Sequence, residues 1–208
     1  GPMLTGDTAE QGSETPTIVD PRAVARVDAL RARDPAFDWN GFTTRVNHIF
    51  QTFQRSWSDR NLAGMRPFLS ESLFVTQSYW VGEYLRQRLR NVTENARILH
   101  IELARVTSDT YFDAITVRVY ATSLDYTLSD DTQAIVSGSR SSERRYTEYW
   151  TFIRSSQAKG AARTDPHCPR CGAPLAINMA GACTHCEAKV TSGQFDWVLS
   201  RIEQDEVY

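Results

Sequence analysis

The chain has no cysteine outside residues 168–186, no apolar run of membrane-spanning length and no surplus of either charge. Each lack excludes something. Lys and Arg number 23 against 25 Asp and Glu, a net charge of -2, which argues against a histone-like coat on nucleic acid. The longest nearly apolar run, Gly172–Ala182, contains Asn178 and has 11 residues, whereas a spanning helix needs about 20. No signal-peptide pattern opens the sequence. Gly1-Pro2 ahead of Met3 reads as a protease scar, so the native start is expected elsewhere. What is present suffices for a globular protein: among 208 residues 41% are hydrophobic and 11% aromatic, enough to bury one core with a small appendage.

The four cysteines form two hooks, Cys168-Pro169-Arg170-Cys171 and Cys183-Thr184-His185-Cys186, separated by 11 residues. Two Cys-x-x-Cys hooks at this separation supply four soft thiolates that can converge tetrahedrally on a metal ion. Each hook needs a sharp reversal, so that neighbouring amides point at sulfur; Gly172 permits the positive φ such a turn wants. Glu187 holds the matching place in the second hook, where some strain is expected. One structural zinc per chain is the expectation, with rubredoxin-like iron and disulfides as the alternatives. A bridge inside Cys-x-x-Cys is usually strained and redox-active, which disfavours disulfides. His167 and His185 adjoin the hooks and, with four thiolates at hand, are expected beside the metal shell or in solvent.

Residues 1–19 carry no periodic apolar positions and read as a flexible tail. Asp20-Pro21 marks a helix start, and Val24, Val27 and Leu30 follow at helical spacing. A second helix opens at Asp38, with Phe42, Val46, Ile49, Phe50, Phe53 and Trp57 on one stripe. Leu62–Leu69 reads as a short helical segment, and Ser70 caps a longer helix predicted over 71–90, with a wide apolar face. From Ala96 the period becomes two: Leu99, Ile101 and Leu103 alternate with polar residues, as do Ile115, Val117, Val119 and Ala121. Turns are expected at Ser108-Asp109 and Ser129-Asp131. Further strands are expected over 134–138, 145–154 and 195–202. Helices first and a meandering sheet afterwards argue an α+β fold. The cysteines fall between the last two strand-like segments. If those strands pair, the metal-binding stretch is an elaborated hairpin loop held at both ends.

Phe50-x-x-Phe53-x-x-x-Trp57-x-x-x-Asn61-Leu62-x-x-Met65-Arg66-Pro67-Phe68-Leu69-Ser70, with Tyr149-Trp150-Thr151-Phe152-Ile153-Arg154 and Asp196-Trp197-Val198-Leu199-Ser200-Arg201-Ile202, resembles the Tim-forty-four-like (Tim44-like) domain. That is the C-terminal domain of a mitochondrial import translocase subunit, with many bacterial relatives. The resemblance covers roughly residues 38–154 and 194–204. It implies a nuclear-transport-factor-two-like cone of helices on a bent antiparallel sheet, and a membrane-associated or protein-binding scaffold instead of a catalyst. The zinc ribbon is an insertion relative to the mitochondrial domain and is similar to bacterial relatives carrying Cys-Pro-x-Cys-Gly-Ala-Pro-Leu. The implied organisation is a tail over 1–19, a cone domain over 20–154 plus 194–208, and a zinc-ribbon insertion over 155–193. The resemblance also implies a location in the cytoplasm or on the cytoplasmic face of a membrane, with any anchor outside this sequence.

Cones of this type can also host small-molecule binding or hydrolase- and isomerase-type chemistry in the open end. The candidate cavity groups are Asp113, His48 and Tyr120, with His100 and Glu102 as further acid–base candidates. Asp113 lies in phase with Ile115 and Val117 and is the best candidate for a buried carboxylate with a raised pKa. No nucleophile–base pair stands at a motif spacing, so catalysis is the alternative and no catalytic residue is assigned. Arg86, Arg88 and Arg90 form a basic run at a predicted helix end; they are candidates for contact with an anionic surface, against a plain role in complementing the helix dipole. The segment 155–193 offers only Lys159, Arg163, Arg170 and Lys189 against Asp165 and Glu187 and no aromatic platform, so nucleic-acid reading is not expected there. The expected partner is a protein or an anionic membrane surface.

Overall fold

The computed structural model describes residues 15–205 and 208. Three helices come first: α1 (Ala23–Arg33), α2 (Trp39–Ser58) and α3 (Glu71–Arg86), with a 3₁₀ turn at Ala63–Met65. Four strands follow, β1 (Leu89–Ser108), β2 (Phe112–Ser129), β3 (Ile135–Ser155) and β4 (Val198–Gln204), all antiparallel in the order β1-β2-β3-β4. The α+β meander expected from the change of period is the observed architecture.

Local chemistry accounts for the helix starts. Asp38 Oδ2 accepts the Gly41 N–H at 3.0 Å and Ser70 Oγ accepts the Leu73 N–H at 3.3 Å, each satisfying an amide the first turn leaves free. The α2 stripe then does what its spacing dictates. Phe42, Val46, Ile49 and Phe50 have no exposed surface, and Phe42 and Phe50 meet Phe152 and Trp150 of β3 at ring distances of 5.6 and 5.7 Å. Burying such a side chain contributes about 1.5–3 kcal/mol, so this one stripe anchors α2 to the sheet.

Three differences from the sequence-based expectations have physical reasons. The third helix stops at Arg86, and residues 89–108 form one continuous strand, because Arg88 adopts φ 58° and turns the chain back. Of its apolar face Leu73 and Val81 are buried and Phe74 and Tyr84 pack against the core partly buried, whereas Trp80 and Leu85 are exposed. Strict alternation also fails in β1. Its register slips between Glu94 and Arg97, Ile98 and His100, and Leu103 and Arg105, so Ile98 packs on the core and Leu99 faces solvent. Each slip bends the strand. A straight strand of this length would run about 65 Å, and bulges let it curl around the helices. Finally, the two segments expected over 134–138 and 145–154 are one strand, β3, whose register against β2 slips between Ser139 and Arg144, next to Gly138 at φ 79°.

The expected tail divides. Residues 1–14 lie outside the described residues, whereas residues 15–20 lie on the outer face of the sheet. There the Ile18 N–H donates to Tyr149 Oη at 2.9 Å and the Asp20 N–H to the Ala104 carbonyl at 2.8 Å. Beneath this strap Arg118, wholly buried, donates to the Thr15 carbonyl, to Tyr120 Oη at 2.9 Å and to Thr147 Oγ1 at 3.2 Å.

Candidate metal centre and cone cavity

β3 and β4 pair antiparallel from Ile153↔Val198 to Glu148↔Gln204, and the chain between them makes a long excursion that contains all four cysteines. The two hooks are near copies. The Gly172 N–H donates to the Cys168 carbonyl at 2.9 Å and the Glu187 N–H to the Cys183 carbonyl at 2.8 Å. Arg170 and His185 donate their N–H groups to Cys168 Sγ and Cys183 Sγ, each at 3.4 Å. Gly172 has φ 77° and Glu187 φ 66°, so the second hook holds a non-glycine residue in the left-handed region, as its sequence position required. A small apolar cluster of Leu175, Ile177, Ala188, Val190 and Phe195 surrounds the sulfurs.

The four Sγ atoms lie within 4.8 Å of one another, with Cys168–Cys186 at 3.7 Å and Cys171–Cys183 at 3.9 Å. Four sulfurs placed tetrahedrally about an ion at a bond length of about 2.3 Å stand about 3.8 Å apart. The donor set therefore fits a four-thiolate metal site. All four cysteines are free thiols, so the disulfide alternative is not what the structure contains. Burial raises the Cys168 thiol, but the N–H groups of Cys171 and Arg170 outweigh it and bring the group down to about 7. Cys171 is favoured as thiolate by the Ala173 amide, yet burial and the three neighbouring sulfurs push it up to about 11. His167 takes no place in the cluster, its Nδ1 standing 2.5 Å from Asp165 Oδ1.

Three polar clasps hold the excursion to the helices and sheet. Where it leaves, buried Arg154 pairs with Asp34 at 2.9 Å, and Asp34 also accepts the Gly160 N–H. Before it returns, buried Arg45 of α2 donates to the carbonyls of Arg163 and Trp197 at 2.7 and 2.8 Å. At its far side Glu71, at the start of α3, accepts from Thr191 Oγ1 at 2.7 Å, while Arg66 pairs with Glu71 and donates to the Met179 carbonyl. Arg66 and Arg154 stand in the stretches that carry the family resemblance, but no clasp was predicted from them. Arg45 carried a signal of its own, a charge next to Val46 on an otherwise apolar stripe.

The concave side of the sheet, under α2 and α3, holds an open cavity of about 780 Å³. Its walls are aromatic, with Phe53, Trp57, Trp80, Tyr84, Tyr146 and Trp150, and its polar groups include Asn91, Asp125, Arg144 and Glu148. Asp125 accepts from Asn91 Nδ2 at 2.9 Å and lies 3.6 Å from Arg144. Glu148 accepts from Gln204 Nε2 at 2.9 Å and Trp150 Nε1 at 3.3 Å. Burial pushes both carboxyls above the usual range, against these hydrogen bonds and Arg144. Glu148 was legible in principle, since it shares the inward phase of Tyr146, Trp150 and Phe152.

The polar groups expected in the cavity are elsewhere. Tyr120 falls between Val119 and Ala121, and its hydroxyl lies on the outer face with Arg118 and Thr17. Asp113 is buried, but at the far end of β2, held by Arg33 at 2.8 Å and by the Ser108 hydroxyl at 2.7 Å beside a smaller hollow of about 340 Å³. His48 packs its ring edge-on against Phe68 at 5.4 Å, and burial, with Arg45 and Arg55 nearby, lowers its pKa. His100 and Glu102 form an outer-face pair at 3.1 Å. The basic run is broken by the helix end: Arg86 pairs with Glu83 at 2.7 Å, Arg88 with Asp131 at 2.6 Å, and Arg90 belongs to β1.

A family model described as the Tim44-like domain matches residues 24–163. The chain belongs to that family. The match to the Tim44-like domain takes in the helices and β1–β3 and stops short of the cysteines and β4. No curated protein matches the sequence. Among solved structures, the intermembrane space region of the chloroplast protein ARC6 is similar over 54% of this chain and 86% of its own, at 13% identity and a TM-score of 0.35. No described helix of this Tim44-like protein is long and apolar enough to cross a membrane.

Proposed function

We propose that the protein is a non-enzymatic binding module: a Tim44-like cone over residues 20–154 and 194–208, carrying in 155–193 a structural zinc ribbon that presents a surface to a protein partner or an anionic membrane. The observation that carries this reading is the convergence of four thiols inside a loop clasped to the cone at Asp34, Arg45 and Glu71. Zinc is the ion best suited to four thiolates in a closed shell, and such a shell leaves no coordination position for water, so the metal would supply stability and not chemistry. Metal binding of this kind contributes on the order of 10 kcal/mol to local folding, enough to order a segment whose own apolar cluster is small. Exposed apolar groups for such a contact stand on both parts: Met179, which is 98% exposed, within 155–193, and Val75 and Tyr79 on α3.

Flotation with vesicles, anionic against neutral, and photo-crosslinking from position 79 in cells test the reading. Binding to anionic vesicles, or one crosslinked partner that is lost with Cys168→Ser, supports it. The absence of both vesicle binding and a ribbon-dependent crosslink would overturn it. A second reading, a carrier or an enzyme working in the cone, is favoured by one observation: the cavity is open and lined by Asp125 and Glu148, not closed and wholly apolar.

A further inference from the structure

The cavity's charges do not balance. Among its lining residues Glu83, Asp125 and Glu148 are acidic and Arg144 is the basic one. Glu83 is paired outward with Arg86, which is not part of the lining, and Asp125 is paired with Arg144. Among the described residues, Glu148 accepts hydrogen bonds only from the neutral donors Trp150 Nε1 and Gln204 Nε2, and the one basic lining group whose charge reaches it, Arg144, is shared with Asp125. A carboxylate deep in a concave wall loses hydration, and a neutral donor restores only part of it. The same wall carries six aromatic rings, whose negative faces attract cations and repel anions. A volume of about 780 Å³ is far more than a bare ammonium ion requires and lies in the range of small-molecule sites.

We propose that the cone cavity binds a monocationic organic amine, its ammonium group at Glu148 and its apolar body against Trp57, Trp80 and Trp150. A neutral apolar occupant would match the rings but leave Glu148 facing a dry wall. An anion would meet one carboxylate more than Arg144 can offset. A single positive charge on an apolar stem satisfies both features. The stem belongs either to a free alkylamine or to a lysine side chain of a partner; the chemistry recognised is the same. The site is separate from the metal centre, so it stands or falls independently of the zinc reading.

The test is a titration of the full chain, followed by tryptophan fluorescence, with hexylammonium, hexanol and hexanoate, three probes of similar length and different charge. Hexylammonium is expected to bind at least tenfold tighter than hexanol, with hexanoate weakest. Glu148→Gln keeps the side chain's size, removes its charge and should remove that tenfold preference, with retained folding verified by its melting transition. Equal binding of hexylammonium and hexanol to the wild-type protein, or no saturable binding of hexylammonium, overturns the proposal without reference to any variant. A preference that survives intact in folded Glu148→Gln overturns it as well. N-acetyl-lysine methylamide separates the two sources: tighter binding than hexylammonium assigns a partner's lysine, weaker binding a free amine.

Discussion

Gly181 and Gly172 separate the two burdens a positive φ places on a residue. At Gly172, φ 77°, a built Cβ meets nothing within 4 Å, so Gly172→Ala carries only the backbone cost, about 1 kcal/mol. At Gly181, φ 82°, the same atom would stand 2.2 Å from Thr191 Oγ1 and 2.7 Å from Glu71 Oε1. Gly181→Ala should therefore cost more, about 1–3 kcal/mol locally, and spread the clasp between ribbon and α3; amide exchange at residues 179–191 measures it. Glu148 gives a pH-dependent counterpart. Its pKa in the folded protein is raised above that of the unfolded chain, mainly by burial, so the native state holds more protons between the two values. Stability then falls as pH rises from below the unfolded value through the folded one. Glu148→Gln should remove that fall and melt above the wild type at neutral pH, a result read directly from melting temperatures at several pH values. At this scale the convergence of the four cysteines was almost wholly legible, because cysteine spacing and the turn position of Glu187 are local properties. Glu148 was legible only as an inward-facing position on β3, since its surroundings depend on other elements closing over it.

Elements were legible where periodicity was uninterrupted. The α2 stripe and the run Ile115–Ala121 landed on the core as their spacing required. β1 did not follow a simple alternation, because its three register slips depend on how far the strand must bend around α2, and no short window of sequence carries that information. The clasps between elements were equally silent, being long-range pairs. Arg154 and Asp34 show how much they matter: both are almost fully buried, and they tie the end of α1 to β3 and to the first residues of the excursion. Asp34→Asn leaves a buried guanidinium without its counter-charge and should destabilise the fold by about 3–5 kcal/mol, measurable by urea unfolding. Leu99→Ser, at a position the alternation placed inside and the structure places outside, should change stability by less than about 0.5 kcal/mol in the same assay.

As a whole molecule the protein is two sources of order joined by three clasps: an aromatic core between helices and sheet, and a loop that gathers four cysteines and a small apolar cluster. That division predicts separable responses. Chelation, or Cys168→Ser with Cys171→Ser, should raise amide exchange across residues 155–193 while β1, β2 and the helices keep their protection. Exchange that rises uniformly across the chain would instead make the ribbon a condition of the whole fold. The most direct measurement is X-ray absorption at the zinc edge on protein purified without added metal, combined with metal stoichiometry. The account predicts one zinc per chain with four sulfur neighbours at about 2.3 Å. A protein without metal, or an ion bound mainly through nitrogen and oxygen, would contradict it.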